Sequence, residues 1–203
     1  MTNTESATES ATESATETDT AAAAAALSSG NATGERADIL ETLRTHRFFL
    51  RHTVEGLTDD QARLAPTASE LTLGGLIKHV AATESSWVDF IERGTEAMAM
   101  PEGEFDPNSE LAQEWANEFK MLPHETLADV LARYEGVAAR TDALVESLPD
   151  LDLSHPLPPA PWFAPGATRS ARRVFLHIVA ETAQHSGHAD IIRETIDGQK
   201  TMG

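Results

Sequence analysis

The sequence predicts an all-α protein, a bundle of four long helices. Apolar residues recur at helical spacing over four extended stretches. Cap residues open these stretches, and Gly or Pro closes them. No segment shows the strict alternation of a half-buried strand, so nothing competes with the helical reading.

The chain does not begin as a helix. Residues 5–17 read "ESATESATESATE", a period-four repeat without a large apolar residue. Such a segment cannot offset the entropy of ordering, so residues 1–34 are expected to be a disordered, acidic, Ala-rich tail. The six alanines at 21–26 lack a basic leading region and are too weakly hydrophobic for a secretory signal. The pattern starts at "ERADILETLRTHRFFLRHTVEGL", where Ile39, Leu43, Phe49, Leu50 and Val54 mark an apolar stripe. Thr58 then caps a short helical turn that stops at Pro66. The second long helix is "LTLGGLIKHVAATESSWVDFIERG", capped near Thr72 and closed by Gly94. A long acidic connection follows, "EAMAMPEGEFDPNSE", with a shorter helical piece around "ELAQEWANEF". The third long helix, "HETLADVLARYEGVAARTDALVESL", ends at Pro149. "DLDLSHPLPPAPWFAPGA" is too rich in proline for regular structure. The fourth helix runs from about Thr168 to Ile196 and stops at Asp197-Gly198. The bundle thus occupies 35–198, with 199–203 as a C-terminal tail.

Composition excludes several functions. The chain has 33 Asp and Glu against 15 Lys and Arg, a net charge of −18. Glu5, Glu9, Glu13, Glu17 and Asp19 supply five of these charges, so −13 falls on the remainder. A body this acidic repels phosphate backbones, and nucleic acid is not an expected partner. No stretch approaches the roughly 20 apolar residues of a membrane span, and a cytoplasmic location is expected. Cysteine is absent, which removes disulfides, thiolate ligands and a cysteine nucleophile. Any thiol chemistry would need a thiol from outside. There is no HExxH, no phosphate-binding glycine loop and no GxSxG, so protease, nucleotide and serine hydrolase readings are weak.

The chemistry concentrates in "VFLHIVAETAQHSGHAD". Each helical residue turns about 100°, so with His177 at zero, Glu181 falls at about 40°, His185 at about 80° and His188 at about 20°. Val174 and Ile192 project into the same sector, so these four polar residues share an inward stripe. A lone imidazole is easily satisfied in a core. An ionised carboxylate among apolar neighbours costs several kcal/mol unless a cation or donors offset it. Glu181 and His185, four apart, have the spacing of a helical chelating pair. A third ligand would come from a facing helix, and His79 lies in the same sector as Leu76, Thr83, Trp87 and Phe90 on the second helix. Alone it reads as a core histidine; opposite the quartet it reads as a ligand. His79, Glu181 and His185 offer two nitrogens and a carboxylate, a set that suits Zn²⁺, and also Ni²⁺ or Fe²⁺. Three protein ligands leave an open position, the mark of a catalytic site. His177 and His188 are candidates for supporting groups, with His188 as an alternative to Glu181 or a fourth ligand. Trp87, Trp162 and Arg169 are candidate walls of a binding pocket, Trp162 together with Phe163 as its roof. Surface salt bridges are the favoured reading of Arg169, Arg172 and Arg173. His46, His52, His124 and His155 read as structural or exposed, and Asp150 and Asp152 as loop acids.

A histidine in the second helix, then "FLHIVAETAQHSGHADIIRETIDG" preceded by "PPAPWFAPG", resembles the DinB-like superfamily. The nearest branch is the domain-of-unknown-function 664 group, also called mini-circle proteins. The resemblance covers about residues 36 to 198. It implies a four-helix bundle holding a divalent metal on one helix-two histidine and a pair four apart on the last long helix. In much of the superfamily that pair is His-x-x-x-His. Here its first member is Glu181, as in mycothiol-dependent maleylpyruvate isomerase relatives, and His188 stands where Gln is common. The implied activity is metal-dependent S-transfer or isomerisation using mycothiol, bacillithiol or glutathione, with a small electrophile as second substrate. The resemblance also implies a possible homodimer. The rival is a metal-stabilised bundle acting in stress response or interaction without turnover; a metal-dependent hydrolase is the lesser alternative.

Overall fold

The computed structural model describes residues 32–98 and 108–201. The low-complexity repeat, the alanine run and residues 99–107 of the acidic connection lie outside the described residues. The helices in chain order are α1 (Glu35–His52), α2 (Asp59–Ala62), α3 (Leu73–Arg93), α4 (Glu110–Glu118), α5 (Leu127–Ser147) and α6 (Ala171–Asp197). A 3-10 turn, Gly94–Met98, continues from α3.

The long helices α1, α3, α5 and α6 form the bundle. α1 packs on α6 and α5, and α3 packs on α5 and α6, so the four close a ring with α1 diagonal to α3. Side chains fix where each begins. Thr58 and Gln61 make a capping box at α2, and Thr126 with Asp129 makes another at α5. The Thr72 hydroxyl accepts from Gly75 N at α3, and Ser170 accepts from Arg173 N at α6. Gly198, at φ 81°, ends α6 in a left-handed conformation that a side chain would resist. Arg193 then ties this end down, donating to the Thr53 and Glu55 carbonyls and to Asp197 and Gln199.

The core is split in two. At one end Leu50, Leu73, Leu76, Ile77, Val130, Tyr134 and Ile192 pack together. At the other are Leu43, Trp87, Phe90, Ile91, Val174, Phe175 and Ile178. A polar layer crosses the middle of the bundle. Arg47 and Glu84, each 1% exposed, pair at 2.5 Å, and Thr141 donates to Glu84. Asp142 accepts from Arg47 at 2.7 Å. Each charge is held by others, which is the condition for tolerating ions in a core.

Two expectations are corrected. α1 stops at His52, short of the Leu57 expected, because Thr53 turns and bonds back to the Leu50 carbonyl. The proline-rich segment contains regular structure: β1 (Ser154–Pro156) pairs antiparallel with β2 (Thr168–Ser170). Three-residue strands are too short to print an alternation, and Pro156 closes its strand, where no donor is missed. Residues 168–170 are therefore strand, and α6 begins at Ala171. The segment is pinned by His155, whose Nε2 lies 3.1 Å from the Ile91 carbonyl and whose ring sits over Gly94.

Candidate metal centre

α3 and α6 lie side by side, which brings the inward stripe of α6 against His79. One donor atom each from His79, Glu181 and His185 lie within 4.8 Å of one another. His185 Nε2 is 3.6 Å from Glu181 Oε2, and His177 Nε2 is 3.8 Å from Glu181 Oε1. His79 meets the His185 ring edge-on, with centroids 4.9 Å apart. All three side chains are half-buried.

The electrostatics explain what this cluster lacks. Burial pushes the His79 pKa down to about 4; His185 adds to that effect and Glu181 opposes it. Burial likewise lowers His177 and His185, again against Glu181. The imidazoles are thus neutral at pH 7, with free lone pairs for a cation. Among the described residues, Glu181 has only these neutral histidines within ion-pair range. His79 Nδ1 is buried without a hydrogen-bond partner. An unsatisfied buried nitrogen costs about 1–3 kcal/mol, and Glu181, with 28% of its side chain exposed, faces only neutral imidazoles among the described residues. Two neutral nitrogens and one carboxylate at this spacing fit a divalent transition metal, which would satisfy both.

Neighbouring residues set the ligand-bearing rings. His188 Nδ1 lies 3.4 Å from His185 Nδ1. With His185 Nδ1 as the donor in this contact, His185 Nε2 keeps its lone pair on the side of Glu181. Phe119 stacks on His79, with centroids 4.0 Å apart and planes at 20°. That stack depends on Gly75. A Cβ there would sit 1.9 Å from the Phe119 carbonyl oxygen, so only glycine lets the 119–121 segment lie on α3. Lys78 holds the same segment, donating to the Lys120 carbonyl and to Glu125. Phe119 and Gly75 escaped the sequence reading, since neither carries a metal-ligating or titratable group.

On the other side, the Trp87 ring meets His177 edge-on at 4.9 Å. The Arg169 guanidinium lies over Trp87 at 4.7 Å and 5.4 Å from the Phe163 ring. Trp87 is buried, whereas Trp162 is 77% exposed and meets Phe163 at 6.0 Å. The structure therefore brings Trp87 and Arg169 beside the cluster and leaves Trp162 at the surface. Arg172 pairs with Glu35 and with the loop acid Asp152. His52 pairs with Glu55, and His155 anchors β1.

A solved structure of a conserved protein from Enterococcus faecalis shares this fold, with a TM-score of 0.59 and 15% identity over 83% of this chain and 100% of that one. No curated protein matches the chain. Residues 38–198 match the family model described as mycothiol-S-transferase. That span takes in all four bundle helices, α1 from its fourth residue, and every residue of the cluster. The chain belongs to the mycothiol-S-transferase family, a DinB-like family of helical bundles.

Proposed function

We propose that His79, Glu181 and His185 hold one divalent metal, with zinc the best fit and nickel or iron compatible, and that the protein transfers the sulfur of a mycothiol-like thiol to a small electrophile. The observation that carries this reading is the convergence of three donor atoms within 4.8 Å, one side chain bringing a buried nitrogen with no partner. Family membership supports both a metal and a low-molecular-weight thiol. The absence of cysteine fits an enzyme that borrows its nucleophile.

A bound cation at this place would stabilise the thiolate form of an incoming thiol at neutral pH. The chain's residues do the rest. Phe119 and His188 fix the rings of His79 and His185. Trp87 and His177 wall one side of the open position. His177, kept neutral by burial and next to Glu181, is the nearest base for the thiol proton. The thiol is a reagent of reducing compartments, which puts the reaction in the cytoplasm.

The test is conjugation of mycothiol to 1-chloro-2,4-dinitrobenzene by zinc-reconstituted full-length protein, followed by chromatography of the adduct. Acceleration over the uncatalysed rate, lost in His79→Ala, is expected. No acceleration with mycothiol, bacillithiol or glutathione would leave a metal-binding bundle without turnover.

A further inference from the structure

The three arginines around the start of α6 divide sharply. Arg172 is neutralised by Glu35 and Asp152. The Arg169 guanidinium makes no hydrogen bond or salt bridge to any described residue, nor does that of Arg173. Every other arginine donates to a carbonyl or pairs with a carboxylate: Arg36 to the Val145 and Leu148 carbonyls, for example, Arg133 with Glu125, and Arg140 with Asp89 and Glu92. In a chain with 33 acids and 15 bases, two unpartnered arginines are not a consequence of acid shortage.

Their position matters as much as their isolation. Arg173, His177, Glu181 and His185 recur every four residues along α6, and Arg169 sits on β2 just before that helix, so both cations lie at the start of the element that carries the metal donors. Arg173 is about 12 Å along the axis from Glu181. Trp87 bridges the two regions, touching the Arg169 guanidinium on one side and His177 on the other. Contact with the Trp87 and Phe163 rings holds the guanidinium in place. Its Nη1 is buried without an acceptor, while the residue as a whole is half-buried. A planar, oriented, partly desolvated fork with free donors is the arrangement that recognises a carboxylate.

We infer that Arg169 is an anion subsite, which makes the second substrate of this enzyme a carboxylate-bearing electrophile, with Arg173 adding attraction at the rim. The inference rests on the thiol-transfer reading. The anion belongs to the electrophile because mycothiol carries no ionised group besides its thiol. The carboxylate docks on Arg169 and its reactive carbon points along the Trp87–His177 wall toward the donor set. The thiolate sulfur forms the new S–C bond as the leaving group departs with the bonding electrons.

Iodoacetate and iodoacetamide, which differ in charge and share the iodide leaving group, test this with mycothiol and metal-loaded full-length protein. Relative to the uncatalysed rates, kcat/KM should favour iodoacetate by about tenfold, the worth of one charged hydrogen-bonded contact. Arg169→Gln should erase that preference, read as the iodoacetate-to-iodoacetamide ratio of kcat/KM, and Arg169→Lys should keep part of it. Equal loss for both reagents in Arg169→Gln, or an unchanged ratio, overturns the subsite. A second readout needs no turnover. Succinate titrated at fixed ionic strength should change the tryptophan fluorescence of the wild type saturably and that of Arg169→Gln not at all, with both folded by circular dichroism. Saturable succinate binding without acceleration of either alkylation would refute thiol transfer while keeping the anion site. Absence of saturable binding in the wild type would refute the site.

Discussion

Gly75→Ala would ordinarily stabilise a helix, since Ala is favoured over Gly in a helix interior by about 0.8–1.0 kcal/mol. The structure predicts the reverse. The added Cβ would meet the Phe119 carbonyl oxygen at 1.9 Å and the Thr72 hydroxyl at 2.8 Å. Cβ atoms essentially never come under 3.0 Å, so the 119–121 backbone must retreat by at least the difference between 1.9 and 3.0 Å. Overpacking of this kind costs about 1–3 kcal/mol, enough to cancel the propensity gain and leave a net loss. The retreat also lifts Phe119 off His79 and loosens the Lys78 hold on the Lys120 carbonyl. Loss of a group that orients a ligand lowers metal affinity by about 10–100-fold. Urea unfolding of the metal-free protein and competition titration of zinc with a chromogenic chelator measure the two effects separately. Gly75→Ala should unfold at lower urea and bind zinc more weakly. A variant as stable as the wild type with unchanged zinc affinity would show that the 119–121 segment does not organise the site.

Further outcomes follow from the buried groups. Arg47→Met strands Glu84 in the core and should cost about 3–5 kcal/mol in urea unfolding, whereas Arg47→Met/Glu84→Leu should recover most of it; a mild single variant would refute the buried-pair account. His79, His177 and His185 titrate below the usual 6.5 when folded, His79 at about 4. The unfolded chain therefore binds more protons between pH 6.5 and 4, so this contribution to metal-free stability is fully present above 6.5 and is lost as pH falls through that window. Urea midpoints measured in EDTA across this range should fall with pH, and less steeply in His79→Gln. His188→Ala should weaken zinc by about 10–100-fold and retain a measurable site, whereas His185→Ala should lose it; equal loss in both would make His188 a ligand.

The long helices were legible because caps and apolar spacing are local. Thr72 and Gly198 each do in the structure what their residue type announces. The relation among His177, Glu181, His185 and His188 was legible for the same reason, since one helix fixes their angles. What could not be read depends on contacts across the chain. Glu84 sits among polar neighbours in "ATESSW", and nothing local says that Arg47, 37 residues earlier, makes it a core residue. Phe119 is 37% exposed and ends a short helix, so only the approach allowed by Gly75 reveals its stack on His79. The β1–β2 pair is made by residues 154–156 and 168–170, too few on each side to carry a pattern. Arg169 and Arg172 look alike in sequence, yet one stacks on Trp87 without an acceptor and the other is saturated by Glu35 and Asp152.

The central claim is that one cation occupies the space between α3 and α6. Elemental analysis of untagged protein, reconstituted with zinc and dialysed exhaustively, tests it most directly. The wild type should retain about one ion per chain, and His79→Ala, Glu181→Ala and His185→Ala, each folded by circular dichroism, should retain none. No ion in the wild type after reconstitution, or the same content in all three variants, would contradict the account.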